Sequence, residues 1–338
     1  MAGYWGAGPP AEAPDLFAAA EQLRLDQVWT AEAYGSDAWT PLAWWGSRTS
    51  HVQLGTAVSQ LSARPPTTLA MTAMTMDHLT GGRIILGIGT SNPQVVEGWY
   101  GQPYPRPLER TREYIDIVRA VIARRAPVTY DGRHYQLPHP GGTGLGKPLR
   151  SILHPYRDAI PIYLGAEGQK NVALAAEIAD GWNTIFFSPA MNDFYATALA
   201  EGFARPGARH TSASFDVVGG PMRIVVDDDL ERAADRIRPS LALYIGGMGA
   251  RGVNYHHQVF ARMGYEAATA TIQDRYLGGD TRGAIAAVPT PMVEDVALIG
   301  PWGKIVDEIQ RWRQTVLTTF IVSTDLRHLS RIVDLVRA

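Results

Sequence analysis

Glu32 closes the run Gln27-Val-Trp-Thr-Ala-Glu32, whose pattern predicts a strand with a carboxylate at its C-terminal end. Barrel enzymes place catalytic groups at that end, where a carboxylate orients substrate or moves a proton; a solvated surface acid fits the same residues. Gly165-Ala-Glu-Gly-Gln-Lys-Asn171 follows a strand and opens a helix. The unsatisfied N–H groups of a helix start, with Lys170 beside them, make an anion site, although such turns are often purely structural. Two glycine-rich stretches imitate nucleotide sites and fail. Gly87-Ile-Gly-Thr-Ser-Asn92 ends in Asn where a dinucleotide fingerprint needs Gly, and Pro93 follows at once, leaving a strand exit that a ligand can approach closely. Gly141-Gly-Thr-Gly-Leu-Gly-Lys147 is followed by Pro148, which has no hydroxyl for magnesium, so it reads as a mobile loop near the active face.

Metal and thiol chemistry find no support in the pattern. The chain has no cysteine, which excludes disulfides, thiolate zinc sites, iron–sulfur clusters and a Cys nucleophile. Its 9 histidines include His256-His257 and the pair His134/His139, none at helical ligand spacing, and no HExxH occurs; no metal site is expected. Asp227-Asp-Asp229 reads as a helix cap. With 31 Lys+Arg against 33 Asp+Glu the net charge is -2, so neither nucleic acid nor a membrane surface is an expected partner. No apolar run approaches the roughly 20 residues of a membrane span, and the start lacks a signal layout, so a cytoplasmic protein is expected.

These residues need elements to hold them. Helical stripes are predicted over 15–25, 42–48, 65–79, 108–122, 172–180 and the last residues to Val336. Strands are predicted over 27–32, 52–58, 83–89, 160–165, 183–187, 214–226 and 317–322. Alternating strand and helix argues for a parallel sheet with crossover helices. Seven strands are one short of an eight-fold barrel. The missing first strand would have to come from Met1–Pro10, barely a stub. A single domain over 1–338 is expected, with the stretches 90–160 and 227–316 as long insertions on the active face.

Several segments resemble the bacterial luciferase-like flavin-dependent oxidoreductases: Val28-Trp-Thr-Ala-Glu32-Ala-Tyr-Gly-Ser-Asp37, Leu54-Gly-Thr-Ala-Val58, Gly82-Arg-Ile-Ile-Leu-Gly-Ile-Gly-Thr90-Ser91 and Ile162-Tyr-Leu-Gly-Ala-Glu-Gly168. With Thr143–Pro148, Tyr244–Gly252 and Ala286–Pro289, they are most similar to the actinobacterial branch that uses the deazaflavin coenzyme F420. The resemblance implies a (β/α)8 TIM barrel with a shortened or missing first strand and coenzyme at the strand C-termini. It implies a non-proline cis peptide at Ala57 and Val58 behind the ring, coenzyme contacts from Thr90 and Ser91, and a phosphate-binding turn over Ala166, Glu167, Gly168, Gln169, Lys170 and Asn171. It also implies a homodimer. Family members acting on sugar phosphates carry histidine after the strand-two acid and glutamate at the Asn92 position. Ala33 and Asn92 stand here instead, so that substrate class is not expected.

The expected function is hydride transfer between the deazaflavin C5 and a small organic substrate. Glu32 is the candidate catalytic group, with Asp37 and Asn92 as polar contacts. Arg64, Arg83 and Lys170 are candidate partners of the anionic tail, and Tyr244–His257 is a candidate mobile lid. An FMN-dependent monooxygenase, a carboxylate-pair hydrolase (for which only Glu32 stands at a strand end) and a non-catalytic coenzyme-binding relative are the alternatives.

Overall fold

The computed structural model describes Trp5 and residues 7–338. They form two compact units, one of Trp5, 7–91 and 95–165, the other of 92–94 and 166–338. Of the Met1–Pro10 stub, Trp5 and residues 7–10 are described and form no strand; the rest lies outside the described residues.

In the first unit the order is α1 (Ala13–Gln22), β1 (Gln27–Thr30), α2 (Trp39–Gly46), β2 (Gln53–Thr56), β3 (Ser59–Gln60), α3 (Pro66–Thr80) and β4 (Ile84–Gly89). Then come α4 (Pro93–Gly98, whose first two residues count with the second unit), α5 (Pro107–Ala123), the hairpin β5 (Tyr130–Asp131) and β6 (Gln136–Leu137), and β7 (Ile162–Gly165). β1 pairs with β2, β2 and β3 with β4, and β4 with β7, all parallel. All six residues of β4 are buried, as a strand covered on both faces requires. Register places Trp29 opposite Gly55, and a Cβ on Gly55 would lie 2.3 Å from the Trp29 ring, so only glycine admits that indole. Pro66 opens α3 and Gly81, at φ 68°, ends it.

In the second unit the order is α6 (Gln169–Ile178), β8 (Gly181–Asn183), α7 (Asn192–Phe203), β9 (Asp216–Gly219), β10 (Ile224–Val226), α8 (Leu230–Asp235) and α9 (Arg238–Ala242). A π-helical turn over Leu243–Gly247, α10 (Tyr255–Phe260), α11 (Glu266–Leu277), α12 (Thr281–Ala286) and α13 (Thr290–Val296) follow. The unit ends with β11 (Leu298–Gly300), α14 (Trp302–Arg313), β12 (Thr319–Phe320) and α15 (Leu326–Arg337). β9 pairs in parallel with β8 and β12, and β10 with β11. The helices of 230–296 bury a cluster around Leu241, Ile245, Phe260 and Met292, and Phe186 reaches into it.

Three expectations need correction. The strand expected over 214–226 is two strands with different partners, because Gly219-Gly220-Pro221 interrupts the ladder. The strand expected over 183–187 sits at Gly181–Asn183; Phe186, at φ 54°, turns the chain out of the sheet. The stretch 227–316 is not all insertion, since it holds β11 and the helix α14 that follows. Among the described residues no helix is long and apolar enough to cross a membrane.

Candidate active site

The strand C-termini of the first unit gather around Glu32, which is 7% exposed. Its Oε1 accepts from the Gln60 N–H (2.8 Å), the Ser59 hydroxyl (3.2 Å) and Arg64 Nη1 (2.7 Å). Its Oε2 accepts from the Ala38 N–H (3.0 Å) and Arg64 Nη1 (3.0 Å). Glu32 is therefore the buried fastening point of three segments. Asp37 accepts from the N–H groups of Trp39 and Thr40, both 2.8 Å, which starts α2, and lies 3.7 Å from Arg64 Nη2. Arg64 is thus held by two carboxylates rather than offered to an anionic tail, and its carbonyl accepts from the Tyr114 hydroxyl. Gln60 donates to the carbonyls of Glu32 and Ala33, while its buried Oε1 has no hydrogen-bond partner.

The Ala57–Val58 bond is cis. Both residues are half-buried, and the Val58 side chain fills space that only glycine leaves free: a Cβ on Gly89 would lie 2.6 Å, and on Gly165 2.7 Å, from its methyl groups. Thr90 and Ser91 leave the end of β4. Ser91 has φ 58°, a conformation sparsely populated for a residue with a side chain, and its carbonyl accepts from the Tyr104 hydroxyl at 2.9 Å. Arg83 stands at the opposite end of β4. It donates to the Thr80, Thr49 and Val52 carbonyls and the Thr49 hydroxyl, and burial lowers its pKa. It is structural, not a tail contact.

In the second unit Asn92, 7% exposed, donates to the Met248 carbonyl at 2.8 Å. The turn 166–171 is anchored at Ala166, whose carbonyl accepts from Trp182 Nε1 (2.9 Å) and whose N–H reaches the Asn183 carbonyl (3.4 Å). Gly168 caps α6 without any side-chain bond, and Gly168, Gln169 and Lys170 are exposed. The first N–H groups of α6 thus face solvent beside a lysine. Glu167 is committed elsewhere: its Oε1 lies 2.7 Å from His256 Nδ1, and its carbonyl accepts from Arg262. Tyr244 and Phe186 meet the His256 ring edge-on, at 4.9 and 5.5 Å. Burial, aided by Glu167, pushes the Tyr195 hydroxyl up to about 12.

Glycines of the expected lid serve packing instead. A Cβ on Gly246 or Gly247 would lie 2.5 Å from Tyr276, and one on Gly249 2.5 Å from Asn254. Asn254 donates to the carbonyls of Tyr244 and Ile245, and Arg251 pairs with Asp274, so this segment is tied down.

Residues 2–319 match the sequence pattern of the luciferase-like monooxygenases. The chain belongs to that family. A Mycobacterium tuberculosis protein named as a coenzyme F420-dependent oxidoreductase is 53% identical over 323 residues, covering 95% of this chain and 93% of its own length. Among solved structures, the F420-dependent tetrahydromethanopterin reductase of Methanopyrus kandleri superposes with TM-score 0.73 at 22% identity, over 97% of this chain and 94% of its own. An F420-dependent secondary alcohol dehydrogenase, in complex with an F420–acetone adduct, gives 0.77 at 16%, over 99% and 98%. The luciferase-like barrel class expected from the sequence is thereby borne out.

Within this luciferase-like chain, sequence reasoning missed the Glu167–His256 pair and the Ser59, Gln60 and Arg64 setting of Glu32. Residues 167 and 256 are 89 positions apart, and no motif links them. Arg64 was legible only as a cation near a strand end.

Proposed function

We propose that the chain is an F420-dependent oxidoreductase acting on a small organic substrate. The observation that carries this reading is the 53% identity, over nearly the whole chain, to a relative named for that coenzyme. The residues fit the group. The uncapped start of α6, with Gly168, Gln169, Lys170 and Asn171 around it, is a donor set for an anionic tail. Ala57 and Val58, the latter packed on the strand-end glycines Gly89 and Gly165, give a small apolar backing for a ring, and the polar exits Thr90 and Ser91 follow Gly89 directly in the chain. When bound, the deazaflavin supplies C5 as hydride donor or acceptor.

What the chain itself contributes is positioning and a proton. Glu32, with both oxygens occupied by donors, fixes Ala38, Gln60 and Arg64 in place and serves as a positioning residue. Asn92 holds the Met248 carbonyl. The proton is assigned to His256: Glu167 accepts from Nδ1–H, which leaves Nε2 to hold or pass a proton. A cytoplasmic homodimer belongs to the same proposal. The exposed Trp44 and Met71, on the neighbouring helices α2 and α3, support a self-association face, read by sedimentation.

The test is anaerobic turnover. Reduced F420 mixed with enzyme and a panel of ketones, imines and activated alkenes is expected to reoxidise only when a substrate is present. Oxygen uptake with reduced FMN, and none of this transfer, would overturn the reading in favour of a monooxygenase.

A further inference from the structure

We infer that Glu109, Glu113 and His134 form a binding site for a divalent transition-metal ion, best matched by Zn2+, which clips the β5–β6 hairpin to α5. Glu109 and Glu113 stand one helical turn apart on α5 and present both carboxylates on one face. The turn of the hairpin lays His134 against them, and one ligand atom from each of the three lies within 4.8 Å of the others.

The imidazole gives this cluster its direction. The His134 side chain is only 9% exposed, and its Nε2 is buried without a hydrogen-bond partner. That atom points at Glu109 Oε2 from 3.7 Å, too far for a hydrogen bond. An orphaned ring nitrogen beside two carboxylates is a donor set awaiting a Lewis acid. Glu113 is already fixed for the purpose. Its Oε2 accepts from the N–H groups of His134 (2.8 Å) and Tyr135 (3.0 Å), while Oε1 takes only the Arg133 N–H (2.9 Å) and keeps a lone pair. Zinc bonds of about 2.0–2.2 Å bring tetrahedral ligands to roughly 3.4 Å from one another, so the cluster must contract. The Glu109 side chain, 40% exposed, swings for that once its arginine partners are displaced.

Ligand chemistry selects the ion. One imidazole and two carboxylates suit zinc with water in the remaining position, whereas magnesium and calcium prefer oxygen throughout. Two arginines hold Glu109 at present, Arg133 at 3.3 Å and Arg106 at 3.4 Å, and an incoming cation must displace them. The motif was invisible in the sequence because His134 lies 21 residues beyond Glu113, on another element.

The test is equilibrium dialysis of the folded protein against Zn2+, with bound metal counted by elemental mass spectrometry and melting followed in parallel. One equivalent is expected, with a melting temperature that rises with Zn2+ concentration and does not respond to Mg2+. His134→Ala and Glu109→Gln should each lose that equivalent; Glu109 is exposed enough that its variant folds. Arg133→Ala should bind more tightly, because its side chain competes, and His139→Ala should bind as the parent does. No bound zinc on the parent protein, or an equivalent that survives both His134→Ala and Glu109→Gln, would overturn the site.

Discussion

Replacing Glu32 by Gln separates a positioning carboxylate from a proton-transferring one. Every group around the side chain donates: the Ala38 N–H reaches one oxygen, and the Gln60 N–H and Ser59 hydroxyl reach the other. An amide NH2 in either orientation therefore faces a buried N–H and leaves it unpaired, which costs about 1–3 kcal/mol. The bond to Arg64 also loses its ionic character, a further loss of roughly 1.5–2 kcal/mol for a partner 20% exposed. Together these give about 2.5–5 kcal/mol. At about 2.1 cal/mol/K per residue, 338 residues unfold with an entropy of roughly 0.7 kcal/mol/K, so a single cooperative transition should fall by about 3.5–7 °C. Differential scanning calorimetry reads that shift, and steady-state kinetics on the same sample reads the pH profile, whose limbs should stay where they are. A variant that melts within about a degree of the parent while losing a pH limb would refute the reasoning and make Glu32 the proton carrier.

His256→Asn should lower kcat by roughly 100-fold while leaving coenzyme affinity unchanged, and Glu167→Gln should lower it less; a kcat unmoved by either excludes the pair. Gly165→Ala puts a Cβ 2.7 Å from a Val58 methyl, so Val58 must move; overpacking of this kind costs about 1–3 kcal/mol. Coenzyme affinity should weaken along with the denaturation midpoint, and an unchanged Kd would show that Val58 does not back the ring. Acid should destabilise the fold between about pH 4.5 and 2. Glu21 is held at about 2, hydrogen bonds from Ser50, His51 and Val52 outweighing the upward pull of burial; Asp325 is held at about 2 by Arg236, against burial, and by Arg223. Both acids are depressed in the folded state, so their stabilisation is complete above the unfolded values and is lost as pH falls through that window. Glu21→Gln should flatten the acid limb of a stability curve, and a limb of unchanged slope would contradict the assignment.

Periodicity and punctuation made much of the fold legible. The all-apolar run 84–89 could only be a strand covered on both faces, and Pro66 and Gly81 marked the ends of α3. Periodicity failed where tertiary packing decides. Ile185-Phe-Phe187 has strand composition, yet Ile185 and Phe186 leave the sheet for the helical cluster of the second unit, and Phe187 stacks on Tyr195. Leu298–Gly300 is too short to announce itself between helices. Tyr244–Gly252 reads as mobile from its glycines, but Gly246, Gly247 and Gly249 leave the space in which Tyr276 and Asn254 approach. The positions proposed for the candidate site were legible at Glu32 and the turn 166–171, and the cis bond after Ala57 stands as expected. Partners were not legible, because a hydrogen bond between positions 32 and 64, or 167 and 256, leaves no trace in spacing.

The most direct measurement is a fluorescence titration of the purified protein with oxidised F420 and, separately, with FMN, at matched ionic strength. Saturable F420 binding at least tenfold tighter than FMN, weakened by Lys170→Ala and by added salt, is the expected result. Equal or tighter FMN binding, or no binding by a protein whose melting shows it folded, would contradict the coenzyme assignment.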